Sequence, residues 1–438
     1  MLACKGHVLP SMVLCMEQKN DHNRIRISLI YYIPVVILYF LNMFIPAVRP
    51  GVLATVILMA VCVELIVRKQ FRFGDFEDRL MAAYFLYNAL SVIWLVRGGF
   101  PVSVFVQEFV VSLLPVVFYY VGRSAAHDRE DVNAGIKCDT DIRNEINVYY
   151  RYFIYAVLFV GITGILLQIV MPQFYIDYSY RLSFVSKADA ATCRVRMNSF
   201  VGSTVLGFVS VAAMLASIPF IMCKGKKQRI FGIVSMLINL TVAFMSNQRS
   251  AMVVAILVVL YFNYLIFFVY KTLDRKYFVF ELGAVVIAFI ALCVVDMDAV
   301  MKIYYRLVSL PDAVGERSEQ WIAAVNNMYS TWFGNGLGAN GHRALGIEDA
   351  HVIADGGLVK MYCEQGVFGF SMFIYILILT FRKGIGNVKE YCVELGIIFV
   401  ALLQSVGSNI LAFQLATPVF WYAVGRVHSS GGEKETES

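Results

Sequence analysis

The stretch NSFVGSTVLGFVSVAAMLASIPFIMC, residues 198–223, contains no Asp, Glu, Lys or Arg and is bounded by Arg196 on one side and Lys224 on the other. About 20 apolar residues are what a helix needs to cross the hydrocarbon core of a bilayer. In lipid only helices and closed barrels satisfy their own backbone hydrogen bonds, and barrel strands are near 10 residues long and alternate in polarity. This run is long and does not alternate, so it reads as a membrane helix.

Runs of the same kind recur on both sides of it. Twelve are expected, at 27–45, 51–67, 80–96, 102–121, 152–171, 198–223, 230–246, 250–270, 277–295, 357–381, 391–410 and 414–427. The whole chain of 438 residues is 59% hydrophobic and 16% charged, with a mean hydropathy of +0.68, which excludes an ordinary soluble protein. The fold class that follows is all-α, a polytopic transmembrane helical bundle of about 12 spans. One membrane domain is expected over 27–427, preceded by a cytoplasmic segment 1–26 and followed by a polar tail 428–438. Residues 1–26 lack the apolar stretch and small-residue site of a cleaved signal peptide, so the first span is expected to act as an uncleaved insertion signal, with Met16 as an alternative start.

Orientation comes from Lys and Arg. Clusters at Arg68, Lys69, Arg72 and Arg79, at Lys224, Lys226, Lys227 and Arg229, at Lys271, Arg275 and Lys276, and at Arg382, Lys383 and Lys389 fall in alternate loops, whereas Arg49 and Arg97 stand alone in the loops between. The inside-positive bias then places both termini in the cytoplasm. The net charge of +6 is largely this topological signal, and it carries no inference of nucleic-acid binding. Nine cysteines are scattered singly, with no disulfide or metal spacing, and only Cys193 falls in an outward loop.

Two outward segments are long, 172–197 and 296–356. The first holds Tyr175, Tyr178 and Tyr180 with Arg181, Lys187, Arg194 and Arg196; its tyrosines suit an interfacial belt, with sugar stacking as the other reading. The second carries Arg306, Arg317, His342, Arg343 and His351 and ends in WFGNGLGANG, residues 332–341. Loops of that length with aromatic content are usually functional.

Arg194, Arg196, Arg249 and Arg317 share the outward side. Their guanidiniums could converge on a phosphate or diphosphate, or each could snorkel to the interface. Arg249, in the tight turn SNQRS, is the best candidate of the four. His342 and His351 are candidate general bases, with plain surface residues as the alternative. Lys360 and Glu364 lie one helical turn apart inside a span, so they are expected to pair and face the bundle interior. Asp296 and Asp298 form a DxD that solvation of a helix end explains better than metal binding, and no metal or other cofactor is expected.

GERSEQW (315–321), FGNGLGANG (333–341) and DGGLVKMYCEQGVFGF (355–370), preceded by RMNSFVGSTVLG (196–207) and SNQRSA (246–251), resemble in order and spacing the signature of Wzy-type O-antigen polymerases and their O-antigen ligase relatives. The resemblance covers roughly the C-terminal half. It implies a GT-C-like glycosyltransferase of the bacterial inner membrane that joins undecaprenyl-diphosphate-linked oligosaccharide repeats at the periplasmic face. Its partners would be that lipid-linked donor, membrane lipids and a chain-length regulator. Diphosphate binding falls to Arg196, Arg249 and Arg317, with Arg194, His342, Arg343, Lys360 and Glu364 as further substrate contacts. Where the ligases carry His-Asn ahead of the Glu of an E-x-G element, this chain has Asp355-Gly356, with His351 four residues before Asp355. The base is therefore His351, Asp355 or neither, and the Asp355 pattern leans towards polymerase over ligase. A lipid-linked oligosaccharide flippase is the reading from another class.

Overall fold

The computed structural model describes residues 26–71, 73–125, 147–183, 196–223, 225–271 and 310–429, with single positions at 297, 301, 304, 305 and 308. Among these residues the ordered elements are all helical. A turn at Ile27–Ile30 leads into α1 (Tyr32–Phe44), followed by α2 (Pro50–Val67), α3 (Phe76–Arg97), α4 (Val102–Ser124), α5 (Val148–Val170), α6 (Pro172–Ser183) and α7 (Ser203–Met222). Then come α8 (Lys226–Met245), α9 (Arg249–Val269), α10 (Leu310–Asn326), α11 (Gly357–Gly386), α12 (Val388–Gly407) and α13 (Thr417–His428).

Nine of these, α2 to α5, α7 to α9, α11 and α12, are long and apolar enough to cross a membrane. The first and last expected runs give shorter helices, α1 with 13 residues and α13 with 12. At 1.5 Å per residue such a helix covers only about 18–20 Å, less than a bilayer core. Every residue of α13 is buried, so its apolarity reflects packing inside the bundle rather than contact with lipid. The run 277–295 lies outside the described residues.

α2 shows what the membrane does to a helix. Ala54, Leu58, Val61 and Leu65 are buried against the bundle, while Val52, Val56, Met59, Val63 and Ile66 are more than half exposed on the opposite side. Both faces are apolar, a pattern that would be costly in water and is ordinary in hydrocarbon. α7 is the opposite case: residues 205–218 are buried without interruption, and the helix runs through the centre between α5, α8, α9 and α12. Small residues bring the backbones close. Gly207 abuts Ala251, Gly396 abuts Leu215, and Gly122 and Gly425 seat α4 and α13 on each other's backbone carbonyls.

Two helices that frame the site are irregular. α4 passes through a π turn at Phe109–Leu113 and a 3-10 turn at Leu114–Val117, where Pro115 supplies no N–H to an α-helical bond. α11 is broken at Gly366, which adopts φ +63°.

Candidate functional site

The glycine-rich segment expected as an outward loop is instead folded into the bundle. Residues 334–341 are all buried, wedged between α3, α4 and α11. Gly334, Gly336 and Gly338 have φ of +78°, +88° and +95°, conformations that L side chains rarely adopt. A Cβ on Gly336 would lie 2.7 Å from Ser91 O, one on Gly338 3.0 Å from Val104 O, and one on Gly341 2.8 Å from Lys360 Cε. The sequence has glycine there because nothing larger lets the strand of loop lie against three helices.

This insertion completes the broken helix. Asn335 N donates to Cys363 O (2.8 Å) and Gly336 N to Glu364 O (3.0 Å) below the break, while Val367 N and Phe368 N above it donate to Thr331 O (2.9 Å) and Trp332 O (3.2 Å). Backbone groups freed at Gly366 are thus satisfied by protein, the condition for irregular backbone at membrane depth. Leu337 N donates to Ser91 Oγ (3.1 Å), which ties the same segment to α3.

Three charged side chains meet beneath it. Lys360 Nζ lies 2.5 Å from Glu108 Oε1 and 3.6 Å from Glu364 Oε1, and Ser112 Oγ donates to Glu108 Oε1 at 2.5 Å. Lys360 and Glu364 do share the interior, as expected, but the shorter contact is to Glu108, which sequence reasoning missed. Glu364 Oε1 also accepts from Asn340 N (3.3 Å). Asn340 continues the network, since its side chain accepts from Asn335 Nδ2 (2.8 Å) and donates to His351 O (2.8 Å), and its carbonyl accepts from Ile353 N (2.9 Å). A small cleft runs over this floor, walled by Tyr84, Asn88, Leu337, Gln365, Asn409 and Trp421.

Arg317 stands beside the upper rim. Its Nη2 donates to Asp355 Oδ2 at 2.7 Å, Trp321 Nε1 donates to Asp355 O at 2.7 Å, and both donors sit on one face of α10. Gly356 takes φ +132° against the Trp321 ring, and Asn409 Nδ2 holds Ile353 O (2.8 Å) and Ala354 O (3.1 Å) from below. The segment 353–357 is therefore pinned between α10 and the residues after α12. Asp355 spends one carboxylate oxygen on positioning Arg317.

Arg196 and Arg249 lie at the same end of the bundle. Met197 N donates to Met245 O (2.8 Å), which sets Arg196 beside the turn that Arg249 follows, and Gln248 Nε2 donates to Thr204 Oγ1. α7 and α12 run antiparallel with Leu215 against Gly396. Following each helix for about 11 residues, roughly 16 Å, brings Thr204 level with Gly407, where a Cβ would stand 3.6 Å from Arg317 Nη1.

The remaining candidates are placed differently. His351 is half-buried, its carbonyl fixed by Asn340. His342 and Arg343 are exposed on a 3-10 turn, His342–Ala344, although Arg343 is close enough to act electrostatically on Glu108 and Tyr39. Arg194, Arg306, Asp296 and Asp298 lie outside the described residues, as do Lys187 and Cys193. Tyr175 and Tyr178 do not form a belt or an open stacking platform. Both are buried, Tyr175 donating to Arg196 O (3.2 Å) and Tyr178 to Phe200 O (3.4 Å), so they brace the entry to α7; Tyr180 alone of the three is exposed. Among the described residues no group of three His, Cys, Asp or Glu is placed to hold a metal ion.

Glu108 had one legible signal, a carboxylate in the middle of an apolar run, which is costly in a membrane unless paired. Its partner is 252 positions away, beyond any local pattern. A scan against protein-family models and a search of curated proteins gave no match to this chain.

Proposed function

We propose that the chain is a membrane glycosyltransferase that joins polyprenyl-diphosphate-linked sugar repeats, an O-antigen polymerase in kind. The observation that carries this reading is Arg317, whose guanidinium is oriented by Asp355, two residues before Gly357 in the wall of an interior cleft, at the end of the bundle that also bears Arg196 and Arg249. A guanidinium fork suits phosphate oxygens, and its charge does not depend on pH.

In this reaction a sugar hydroxyl of one lipid-linked repeat attacks the anomeric carbon of another. The new C–O bond forms as the bond to the diphosphate breaks, and the electron pair leaves with the diphosphate. Arg317, with Arg196 and Arg249 at the same end, opposes the charge that grows on that leaving group, an effect strengthened where water is scarce. The hydroxyl proton passes to a base on the 351–355 segment. Asp355 is committed to Arg317 through one oxygen, which leaves His351, its carbonyl held by Asn340 Nδ2, as the base on this segment.

The test is the lipopolysaccharide ladder of a deletion strain complemented with R317A, R249A or H351A. Loss of long chains with single-repeat product retained supports a polymerase. Bare core in every variant points to a ligase or flippase instead, and an unchanged ladder overturns the site.

A further inference from the structure

We infer that the cleft floored by Glu108, Lys360 and Glu364 is a proton-binding site, with Glu364 carrying the proton. The inference is independent of the reaction proposed above.

The first argument is charge. Four carboxylates are buried among the described residues: Asp78, Glu108, Glu364 and Glu394. Asp78 faces the Arg123 guanidinium at 2.7 Å, which the exposed Asp75 shares, and Glu394 faces that of Arg426 at 3.6 Å. Glu108 and Glu364 share the single ammonium of Lys360, and Glu108 holds it more closely. The cluster therefore carries one buried negative charge too many, a costly state at membrane depth. Among the described residues Arg343 is a further cation that acts on Glu108, from an exposed position where water screens it.

The second argument is the count of donors. Asn88 Nδ2 donates to Tyr84 O (2.9 Å) and Asn409 Nδ2 to Ile353 O (2.8 Å), and those backbone acceptors fix which end of each amide is nitrogen. Gln365 Nε2 donates to Tyr84 Oη (3.0 Å). The three amide oxygens left over, Asn88 Oδ1, Gln365 Oε1 and Asn409 Oδ1, receive no hydrogen bond from the protein, although all three residues are at least 95% buried and line this cleft. Carboxylates add only acceptors. Protonating Glu364 removes the surplus charge and creates a donor in one step.

Glu364 is also the carboxylate whose surroundings permit this. Glu108 is bound at 2.5 Å by both Lys360 and Ser112, whereas Glu364 has its ammonium at 3.6 Å and otherwise only the neutral backbone amides of Asn340 and Gly338. The titratable groups facing it are Glu108 from α4, Tyr84 from α3, and Lys360 and Cys363 from its own helix. The cleft, lined by both Glu364 and Asn409, has room for about three water molecules.

Charge balance gives a sharp test by infrared spectroscopy of the full chain in lipid bilayers at neutral pH, following the carboxylic-acid C=O band that shifts in D2O. The wild type shows one such acid. E364Q abolishes it, and E364D, which keeps an acid and guards against a misfolded glutamine variant, shifts it. E108Q also abolishes it, because Lys360 then neutralises Glu364. K360M approximately doubles it, since both glutamates must then be protonated. An acid band that survives E364Q, or a wild type without the band whose thermal stability rises with sodium but not with choline at equal ionic strength, overturns the proposal; the second result would assign the site to a metal cation.

Discussion

The bundle holds charged clusters at both ends, and they are built on different rules. At the end opposite the cleft, Arg123 contacts Asp75 and Asp78, Tyr119 donates to Asp78 at 2.9 Å, and Arg426 faces Glu394 beside Tyr150. Arg123 also donates to His428 O, and His428 Nε2 meets Thr380 Oγ1 at 2.9 Å, so α3, α4, α11 and α13 are joined through complementary groups. Each buried acid there faces a guanidinium, and Asp75, which shares Arg123 with Asp78, is exposed to solvent. Around Glu108, Lys360 and Glu364 the acids outnumber the bases and a cleft lies over them. Balanced charge fastens helices together; unbalanced charge beside a cleft is a place where something binds or exchanges.

The contrast breaks most visibly at Arg123. R123A removes the guanidinium that faces Asp78, 1% exposed, and should destabilise the fold by about 3–5 kcal/mol, read as a large drop in melting temperature in detergent. D75N, at an exposed partner, should leave the melting temperature nearly unchanged.

Next in size is the helix break. G366A must hold φ +63° while its Cβ meets Trp332 O at 2.5 Å, so strain and overlap together should cost at least about 1–3 kcal/mol and open the cleft floor. G315A, in α10 with open space around it, should be neutral or stabilise by about 0.5–1 kcal/mol in the same assay.

These positions also mark what a sequence can and cannot disclose. The spans were legible because lipid demands long uninterrupted apolar runs, and nine of the twelve expected correspond to described helices of crossing length. Arg317, His351, Lys360 and Glu364 stand out in the sequence as candidates because charge and imidazole contrast with apolar segments, and Lys360 and Glu364 are both buried in the bundle. Insertion of 334–341 was not. Gly, Asn and Leu in alternation have the composition of a surface loop, and only the positive φ values and close approaches to Ser91, Val104 and Lys360 turn them into packing residues. The buried roles of Tyr175 and Tyr178 were hidden in the same way, because a tyrosine near a membrane surface looks alike whether its hydroxyl meets water or a carbonyl.

Arg317 separates stability from function. Its ion pair is partly exposed, with 30% and 41% of the two side chains accessible, so R317A should cost less than about 1 kcal/mol while abolishing long-chain product. D355N, which loosens the guanidinium without removing it, should reduce polymer length less severely. The smallest effect is expected from H342A: the side chain is exposed on its turn, and neither melting temperature nor ladder should change measurably.

The glycine-rich segment lies inside the bundle, packed against Lys360 and Glu364, and its insertion shapes the cleft over Glu108, Lys360 and Glu364. Labelling intact cells with a membrane-impermeant maleimide, in a background whose native cysteines are replaced by serine or alanine, tests it at two sites three residues apart. H342C should react readily and A339C, at a position 0% exposed, should not. Equal labelling of both would place 334–341 in solvent and contradict the architecture on which the site depends.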